Sequence, residues 1–305
     1  MESPESAALP FASIIIPTRD RPQALKACLR ALTAQDFPGE RFEVIVVNDG
    51  GREALPTVLA EFEGQLGLTL LSQEGTGPAS ARNKGAGVAR GDLLVFTDDD
   101  CVPAPTWLRA LVSRSTLNPG HALGGQTINA LHDNVYASAS QLIVDAVYAY
   151  YNSSPENAGF FTTNNLAVPR DVFRAIGGFD ETFQTAEDRE FCDRWRFQGF
   201  SLRYAPEAKI HHRNDMGMAG YLRQHFRYGR GAFCFQVARA ARRRRRLELS
   251  PAEFYMHLLR FPFLEQRGRR AALMELLLLL SQMISAAGFA AEMVTTLATR
   301  IGDHD

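Results

Sequence analysis

Short apolar runs alternate with helix-like segments over the first hundred residues, and this pattern limits the fold more than any other feature. The runs are apolar at consecutive positions, as in strands buried on both faces, rather than at every second position. They are SIIIP (13–17), EVIVV (43–47), LTLLS (68–72) and DLLVF (92–96). Parallel strands need long connections, usually helices, so the pattern predicts an α/β fold with a mostly parallel central sheet.

Polar clusters follow three of these runs, namely TRDR (18–21), NDGG (48–51) and TDDDC (97–101). In open α/β sheets, ligands bind beyond the carboxyl ends of the strands. We therefore expect the functional site at this edge of the sheet.

The rest of the chain reads as two parts. Residues 106–116 and 137–151 are helix-like, and short strands are expected near 201–206 and 208–213. From about residue 219 the sequence is helical, basic and apolar. We expect a first domain over residues 1–215 and a C-terminal helical extension over residues 216–305.

Three consecutive carboxylates, Asp98, Asp99 and Asp100, follow the fourth apolar run. On an extended segment, Asp98 and Asp100 would share one side and Asp99 would face the other. Oxygen ligands of this kind bind Mg²⁺ or Mn²⁺, often together with substrate phosphates. The motif alone leaves open a solvated acidic turn, or caps for the helix that begins near Thr106.

Five longer blocks occur in a fixed order along the chain: SIIIPTRDRP, EVIVVNDGG, GPASARNKGAGVARGDLLVFTDDDC, NNLAVPRDVFRAIGGFDETF and AEDREFCDRWRFQGF. Together they resemble the family 2 glycosyltransferases, which have the nucleotide-sugar-binding GT-A fold. The resemblance covers residues 11–212 and extends more weakly into FRYGRG (226–231). It implies a metal-dependent, inverting glycosyltransferase that moves a sugar from a nucleoside diphosphate donor to an acceptor hydroxyl, as in polysaccharide or glycoconjugate synthesis.

The resemblance assigns donor contacts to residues after the first two strands. These are Pro17, Thr18, Arg19 and Asp20 for the base and ribose, and Asp49 for a base N–H or ribose hydroxyls. The family commonly has two aspartates where this chain has Asn48 and Asp49, so only the second is carried over. NDGG is also a good turn sequence, and both roles are compatible.

The third block implies contacts with the diphosphate. Arg82 and Lys84 supply positive charge and Asn83 an amide, although a solvated basic helix face is the alternative. Asp98 and Asp100 would hold Mg²⁺ or Mn²⁺ as a Lewis acid, while Asp99 would reach the ribose or sugar.

Inversion requires a general base opposite the leaving group. The resemblance places it in the Glu187–Asp188 pair, with Asp188 as the base and Glu187 as its support. The alternative is plain helix chemistry, because acids at a helix N-terminus interact favourably with the dipole.

The acceptor side is expected to include Asn164 and Asn165. Phe179 and Trp195 are expected in the core, since aromatic residues at helical spacing usually face inward. The resemblance implies a further metal ligand at the end of the last strand, from His212, with His211 as the second choice. Neutral imidazole accepts Mn²⁺ more readily than Mg²⁺.

The C-terminal part concentrates basic residues, although the formal net charge of the whole chain is only -1. Five consecutive arginines (242–246) suggest nucleic acid or an anionic lipid surface, and the lack of an aromatic binding platform argues against nucleic acid. Residues 271–295 read as a short apolar helix, which favours interfacial contact with the inner leaflet over a full span. A helix packed on the catalytic domain, or an oligomer contact, is the alternative.

The beginning of the chain is acidic and has no secretory signal pattern, and four cysteines are scattered without a disulfide or zinc spacing. We expect a cytoplasmic protein, peripheral on the cytoplasmic face of the membrane, with a nucleoside diphosphate sugar and a saccharide or lipid-linked acceptor as partners. Two alternatives to a glycosyltransferase remain open. One is another enzyme, a nucleotidyltransferase, and the other is a non-catalytic membrane-associated scaffold.

Overall fold

A computed structural model of the chain describes residues 10–52, 55–248 and 250–302. Its sheet contains the strands β1 (Ala12–Thr18), β2 (Phe42–Asp49), β3 (Leu68–Gln73), β4 (Leu93–Phe96), β5 (Cys101–Pro103), β6 (Ala122–Asn129), β7 (Leu166–Pro169) and β8 (Leu202–His212). The helices are α1 (Pro22–Thr33), α2 (Leu55–Ala60), α3 (Pro78–Val88), α4 (Trp107–Leu117), α5 (Val135–Tyr151), α6 (Arg170–Ala175), α7 (Glu187–Phe197), α8 (Met218–Arg243), α9 (Ala252–Glu265) and α10 (Gly268–Gly302).

One eight-stranded sheet is formed between Ala12 and His212, in the order β3-β2-β1-β4-β7-β6-β8-β5. The four strands expected from the apolar runs are parallel to one another, with β1 in the middle between β2 and β4. Beyond them, β7 is antiparallel to both β4 and β6, and β5 is antiparallel to β8. The α/β prediction is confirmed, and the sheet is mixed beyond its first four strands.

The strands β6 and β7 were not anticipated, because β6 has no continuous apolar run and β7, LAVP, is only four residues long. Strand β6 contains Gly124 and Gly125, where neighbouring groups fill the space that a side chain would need. A Cβ on Gly124 would lie 2.0 Å from the Phe161 ring, and one on Gly125 would lie 2.2 Å from the Ala208 carbonyl. Close packing, rather than strand propensity, explains this segment.

Each face of the sheet carries its own apolar core. Alternate residues of β1 divide between them: Ile14 and Ile16 pack with α1 and α4, and Ile15 packs with α3 and α7. Phe179 and Trp195 are buried in the second core, as expected. The sheet is therefore covered on both sides, which leaves its edges for binding.

A third apolar cluster joins α5 to the C-terminal helices. Its members include Leu142 of α5, Tyr221 of α8, Leu258 of α9 and Leu278 of α10. The expected domain boundary at residues 215 and 216 falls in the connection between β8 and α8.

Helices α8 and α10 run side by side at very short range. A Cβ on Gly229 would lie 1.9 Å from the Ser285 carbonyl oxygen, and one on Gly288 would lie 2.1 Å from the Phe226 carbonyl oxygen. The Tyr221 hydroxyl also donates to the Leu277 carbonyl at 2.9 Å. Small residues allow the two backbones to approach this closely.

One helix in the described part of the chain is long and apolar enough to cross a membrane, over Gly268–Thr299. Only 28% of its most apolar window is buried within the protein. Its contacts with α8 make it part of the helical layer, and its other face is open.

The first arginines of the basic tract contact α7. Arg242 pairs with Glu190 and, at 2.5 Å, with Asp193, while Arg243 pairs with Asp193 at 2.6 Å. Glu190 is almost completely buried. The ion pairs of these two arginines therefore hold the C-terminal end of α8 against α7.

Candidate active site

A cavity of about 1080 Å³ opens at the carboxyl ends of β1, β2 and β4. Its walls come from two sources. Thr18, Asp49 and Asp98 line it from the sheet edge, and helices α5, α7 and α8 complete it on the other side. This is the edge at which the sequence predicts the site.

The three aspartates lie in a turn between β4 and β5, closed by the Cys101 N–H, which donates to the Asp98 carbonyl at 3.1 Å. The segment is therefore a turn, whereas the alternation of Asp98, Asp99 and Asp100 was predicted for an extended strand. Asp98 and Asp100 nevertheless line the cavity, while Asp99 is fully buried and accepts a 2.7 Å hydrogen bond from the Thr18 hydroxyl. The turn gives the same division of side chains that an extended strand would give.

Arg21 lies against this turn and was not anticipated from the sequence. Its guanidinium is 2.7 Å from Asp99 Oδ1 and 2.7 Å from Asp100 Oδ2. Burial raises the pKa of Asp99 to about 7, against the opposing influence of Arg21 and Thr18. Arg21 is thus a protein cation that offsets the repulsion within the carboxylate turn.

Arg82 connects the carboxylate turn to the start of α7. Its guanidinium donates to Asp98 Oδ1 at 2.6 Å and to Glu187 Oε1 at 2.9 Å, and its side chain is almost fully buried. Burial works against the charge of Arg82, but the two carboxylates outweigh it and raise its pKa. This bridge joins two blocks that are far apart in the sequence.

Glu187 and Asp188 begin α7 after a strained residue. Ala186 has φ of +67°, in the left-handed region that residues with a side chain seldom adopt. The Thr185 hydroxyl, just before it, donates to the Arg227 carbonyl of α8 at 3.0 Å. Glu187 faces Arg82, and Asp188 lines the cavity with one oxygen accepting from the Arg189 N–H at 2.7 Å.

Burial is the main cause of an unusual pKa at Asp188. Together with the neighbouring charge of Glu187, it raises the pKa of Asp188 to about 7. A carboxyl group with this pKa is able to take up a proton near neutral pH.

The two histidines at the end of β8 face opposite ways. His212 pairs with Cys101 across the sheet, and its Nε2 is 3.4 Å from Asp100 Oδ1. His211 is exposed and does not line the cavity. Burial opposes the charge of Asp100, but His212 and Arg21 outweigh it and lower the pKa of Asp100 to about 2.

Asp49 lines the cavity and also organises the loop before α3. It accepts hydrogen bonds from the Thr76 N–H at 2.9 Å and from the Gly77 N–H at 3.1 Å. Gln73 donates to it at 2.9 Å. The turn-forming and ligand-facing roles expected for this residue are structurally compatible.

Several other candidates for donor contact are divided between the cavity and its surroundings. Pro17 and Arg19 line the cavity, whereas Asp20 is exposed and accepts from the Arg52 N–H at 2.6 Å. The amide of Asn83 exchanges hydrogen bonds with the Phe179 backbone, and Lys84 donates to the Ser72 carbonyl at 2.7 Å. Asp20, Asn83 and Lys84 therefore lie outside the cavity, unlike their predicted positions.

The two asparagines expected on the acceptor side also separate. Asn164 lines the cavity, and its Oδ1 accepts from the hydroxyls of Thr127 and Thr162. Asn165 is completely buried and is bonded to Trp107 and to the carbonyls of Gln126 and Ala208. Asn165 is therefore structural, and its predicted contact with sugar is not supported.

Helix α8 supplies a wall of the cavity that sequence reasoning did not assign. The residues concerned are Gly220, Arg223, Gln224, His225, Arg227 and Tyr228. Their spacing of three and four residues places most of them on one helix face. The weak extension of the resemblance into FRYGRG is the one signal that pointed to this helix.

The side chains present fit a divalent cation bound by oxygen and nitrogen. Ligand atoms of Asp100, Cys101 and His212 lie within 4.8 Å of one another, and Asp98 lines the same cavity. Burial raises the pKa of the Cys101 thiol well above its usual range, so the thiol stays protonated and is a poor ligand. Two carboxylates and an imidazole remain, and this donor set suits Mn²⁺ or Mg²⁺.

Comparison with known proteins agrees with this geometry. The family model described as glycosyl transferase family 2 matches residues 13–230, which is more than half of the chain. Glycosyltransferase AglE of Haloferax volcanii is 28% identical over 229 residues, covering 74% of each protein. Validoxylamine A glucosyltransferase of Streptomyces hygroscopicus subsp. limoneus is 28% identical over 231 residues, 66% of this chain and 51% of that protein.

A solved structure shows the same fold. Mannosyltransferase PcManGT from Pyrobaculum calidifontis, in complex with GDP-Man and Mn²⁺, superposes with a TM-score of 0.62 at 21% identity. The alignment covers 98% of this chain and 83% of the mannosyltransferase. With a GT-A fold, the aspartate turn at its binding edge and the family match, the chain belongs to glycosyltransferase family 2 and is a glycosyltransferase.

Proposed function

We propose that this enzyme transfers a sugar from a nucleoside diphosphate donor to an acceptor hydroxyl, with a divalent metal ion and with inversion at the anomeric carbon. The Arg82 bridge carries the proposal, because it brings Asp98 and Glu187 to one cavity. An inverting transfer needs a positive centre at the leaving diphosphate and a base on the opposite side. The carboxylate turn would hold the metal ion that supplies the positive centre, and Asp188 at the start of α7 would supply the base.

Asp188 is the proposed general base. Its carboxylate lines the cavity, and its pKa of about 7 matches the task of removing a proton from a hydroxyl at neutral pH. The Arg189 N–H orients one oxygen. Glu187 is the positioning partner, since its ion pair with Arg82 fixes the first turn of α7 and its charge favours protonation of Asp188.

Asp98, Asp100 and His212 would hold the metal ion. When bound, Mg²⁺ or Mn²⁺ would stabilise the negative charge of the departing nucleoside diphosphate. The protein contributes a rigid frame, because Arg82 holds Asp98 and His212 lies against Asp100. PcManGT, with the same fold, was solved with GDP-Man and Mn²⁺, which supports this class of donor and metal.

The donor nucleotide is proposed to lie near Thr18, Arg19 and Asp49, and the acceptor between Asn164 and α8. Asn164 uses its oxygen for two threonine hydroxyls, and its amide NH₂ remains to donate to a sugar hydroxyl. The proposed acceptor is a saccharide, free or linked to a lipid.

We also propose that the enzyme is cytoplasmic and peripheral on the inner leaflet, with residues 216–305 as a helical extension of the catalytic domain 1–215. The outer face of α10 exposes apolar side chains, including Leu276, Met283 and Val294, each exposed by more than 60%. Exposed arginines precede this face at positions 267, 269 and 270. An apolar face with a basic end suits an interfacial helix on anionic lipid.

A thermal-shift panel tests the proposed function. UDP, GDP and dTDP would each be added with Mn²⁺, with Mg²⁺ and with a chelator. At least one combination of a nucleotide and a metal ion should raise the melting temperature. Asp100→Asn should lose the metal-dependent part of that rise, while Asp171→Asn, an exposed matched control on α6, should keep it. If no nucleotide stabilises the protein with either metal, the proposed function is wrong.

A further inference from the structure

We propose that the half of the cavity between α5 and α8 binds the acceptor as a lipid-linked saccharide whose head group carries a phosphate. Arg223 and Arg227 pair with that phosphate, and a hydroxyl of the saccharide accepts the transferred sugar. The inference rests on the proposed function and names its acceptor class. It follows from how charge, unpaired polar groups and apolar side chains are distributed in this part of the cavity.

Arg223 and Arg227 are one helical turn apart on α8, and both line the cavity. Neither forms an ion pair within the described residues, whereas Arg230, Arg242 and Arg243 on the same helix are each paired with a carboxylate. Two adjacent guanidinium groups without acidic partners suit a phosphate, which they can bind by several charge-assisted hydrogen bonds.

His225 lies between these arginines in the sequence and also lines the cavity. Its side chain is 3% exposed, and its Nε2 has no hydrogen-bond partner among the described residues. The ring packs against Tyr221 at 4.3 Å between centroids. A buried polar atom without a hydrogen-bond partner is costly, and an oxygen atom of the bound substrate would supply that partner.

The polar side chains on the α5 side are already bonded within the protein. The Gln141 amide donates to the Thr127 carbonyl at 3.0 Å, and the Ser140 hydroxyl accepts from Gln224 at 2.8 Å. This wall therefore offers few free groups to a long chain of sugar hydroxyls.

Apolar side chains cover the rest of that wall. Ile143, Val144 and Val147 of α5 line the cavity together with Phe160 and Met216. An alkyl or isoprenoid chain is the natural complement of such a surface, since burying it removes apolar area from water. The combination of an apolar wall with free arginines matches an amphiphile with an anionic head.

The same helices connect the cavity to the proposed membrane face. His257 of α9 contacts the Ala146 carbonyl of α5 at 3.0 Å, and α10 packs against α8 through Gly229 and Gly288. The far sides of α9 and α10 expose apolar residues, among them Phe263, Leu264 and Leu276. A lipid acceptor would thus enter from the surface on which these helices rest.

Binding of farnesyl phosphate to the full chain, measured by calorimetry without donor, tests the inference against farnesol and inorganic phosphate. Farnesyl phosphate should bind at least about 10-fold more tightly than either, because it alone supplies both the chain and the charged hydrogen bonds. Arg223→Gln with Arg227→Gln should reduce its affinity to that of farnesol. The control variant, Arg196→Gln with Arg246→Gln, removes the same amount of charge outside the cavity and should leave the affinity for farnesyl phosphate unchanged.

Equal binding of farnesol and farnesyl phosphate, or an unchanged affinity in the Arg223/Arg227 variant, would overturn the inference. Nucleoside diphosphate binding with Mn²⁺ is measured on the same preparations. If nucleotide binds and farnesyl phosphate does not, the acceptor inference fails alone. If no nucleotide binds, the proposed function fails as well.

Discussion

The guanidinium of Arg21 lies 2.7 Å from Asp100 Oδ2, so a carboxylate proposed as a metal ligand is already paired with a cation of the protein. His212 faces the other oxygen of the same carboxylate. Arg21 is half exposed, which leaves room for its side chain to move away.

Arg21→Gln should therefore strengthen Mn²⁺ binding to the free enzyme. A partly exposed ion pair contributes up to about 1 kcal/mol, so removing this competitor should tighten binding by roughly 3- to 5-fold. Electron paramagnetic resonance of free Mn²⁺ measures this directly. Arg19→Gln removes a nearby charge that forms no ion pair with the turn, and it serves as the control. Weaker Mn²⁺ binding in Arg21→Gln would mean that Arg21 positions Asp100 instead.

Arg82→Met should destabilise the fold and abolish transfer. It leaves Asp98 and the largely buried Glu187 without their shared cation, and breaking a buried ion pair costs about 3–5 kcal/mol. Urea denaturation gives the free energy of unfolding. The double variant with Glu187→Gln should recover part of the loss, because it removes one stranded charge. A single variant as stable as the native enzyme would contradict the bridge.

Asp188→Asn should remove transfer while leaving donor binding intact, since the residue is assigned to proton transfer alone. In the native enzyme, the rate should rise as the pH passes through about 7, because Asp188 must be deprotonated to act as a base and its raised pKa lies there. Asp180→Asn changes an aspartate of the neighbouring loop and should keep both rate and profile. Retained transfer in Asp188→Asn would exclude Asp188 as the base.

The raised pKa of Asp188 also affects stability. The folded protein binds a proton at Asp188 more tightly than the unfolded chain, whose aspartate titrates near 4. This residue therefore lowers the free energy of unfolding as pH rises from about 4 to about 7. Asp188→Asn should flatten that part of the stability profile, as measured by denaturation at several pH values.

Gly229→Ala should separate α8 from α10, because the new methyl group would lie 1.9 Å from the Ser285 carbonyl oxygen. Overpacking of this kind costs typically about 1–3 kcal/mol. Binding to anionic vesicles should weaken in parallel if α10 is the membrane contact. Gly87→Ala adds a methyl group to open space on α3 and should be neutral or slightly stabilising.

Neighbouring residues explain which of the predicted site residues reach the cavity and which do not. The motif blocks placed Asp98, Asp100 and Asp188 at the cavity, because strand ends and helix starts in this fold converge on one edge. Within a block, however, adjacent residues face different directions. Arg82 and Asn83 are consecutive on a helix, where side chains turn by about 100° per residue, so only one of them reaches the cavity.

His212 and His211 separate because successive side chains of a strand point to opposite faces. Asn164 and Asn165 lie in a short 3₁₀ turn, Thr163–Asn165, where successive side chains are about 120° apart. Arg21 and the α8 wall could not be found by such rules. The position of Arg21 depends on its contacts with Asp99 and Asp100, 78 and 79 residues away. The position of the α8 wall depends on the docking of α8 against α7 and the residues before it, as in the hydrogen bond from Thr185 to Arg227.

The glycine contact between α8 and α10 has a consequence for how this enzyme can change. Helix α8 touches α10 on one side, presents Arg223 to the cavity on another, and receives the Thr185 hydrogen bond just before the start of α7. If α10 rests on lipid as proposed, a mutation that shifts it there would also displace the proposed acceptor wall and the turn that carries Asp188. Selection acting on membrane attachment and selection acting on acceptor choice would fall on the same few residues, so the two traits are expected to evolve together.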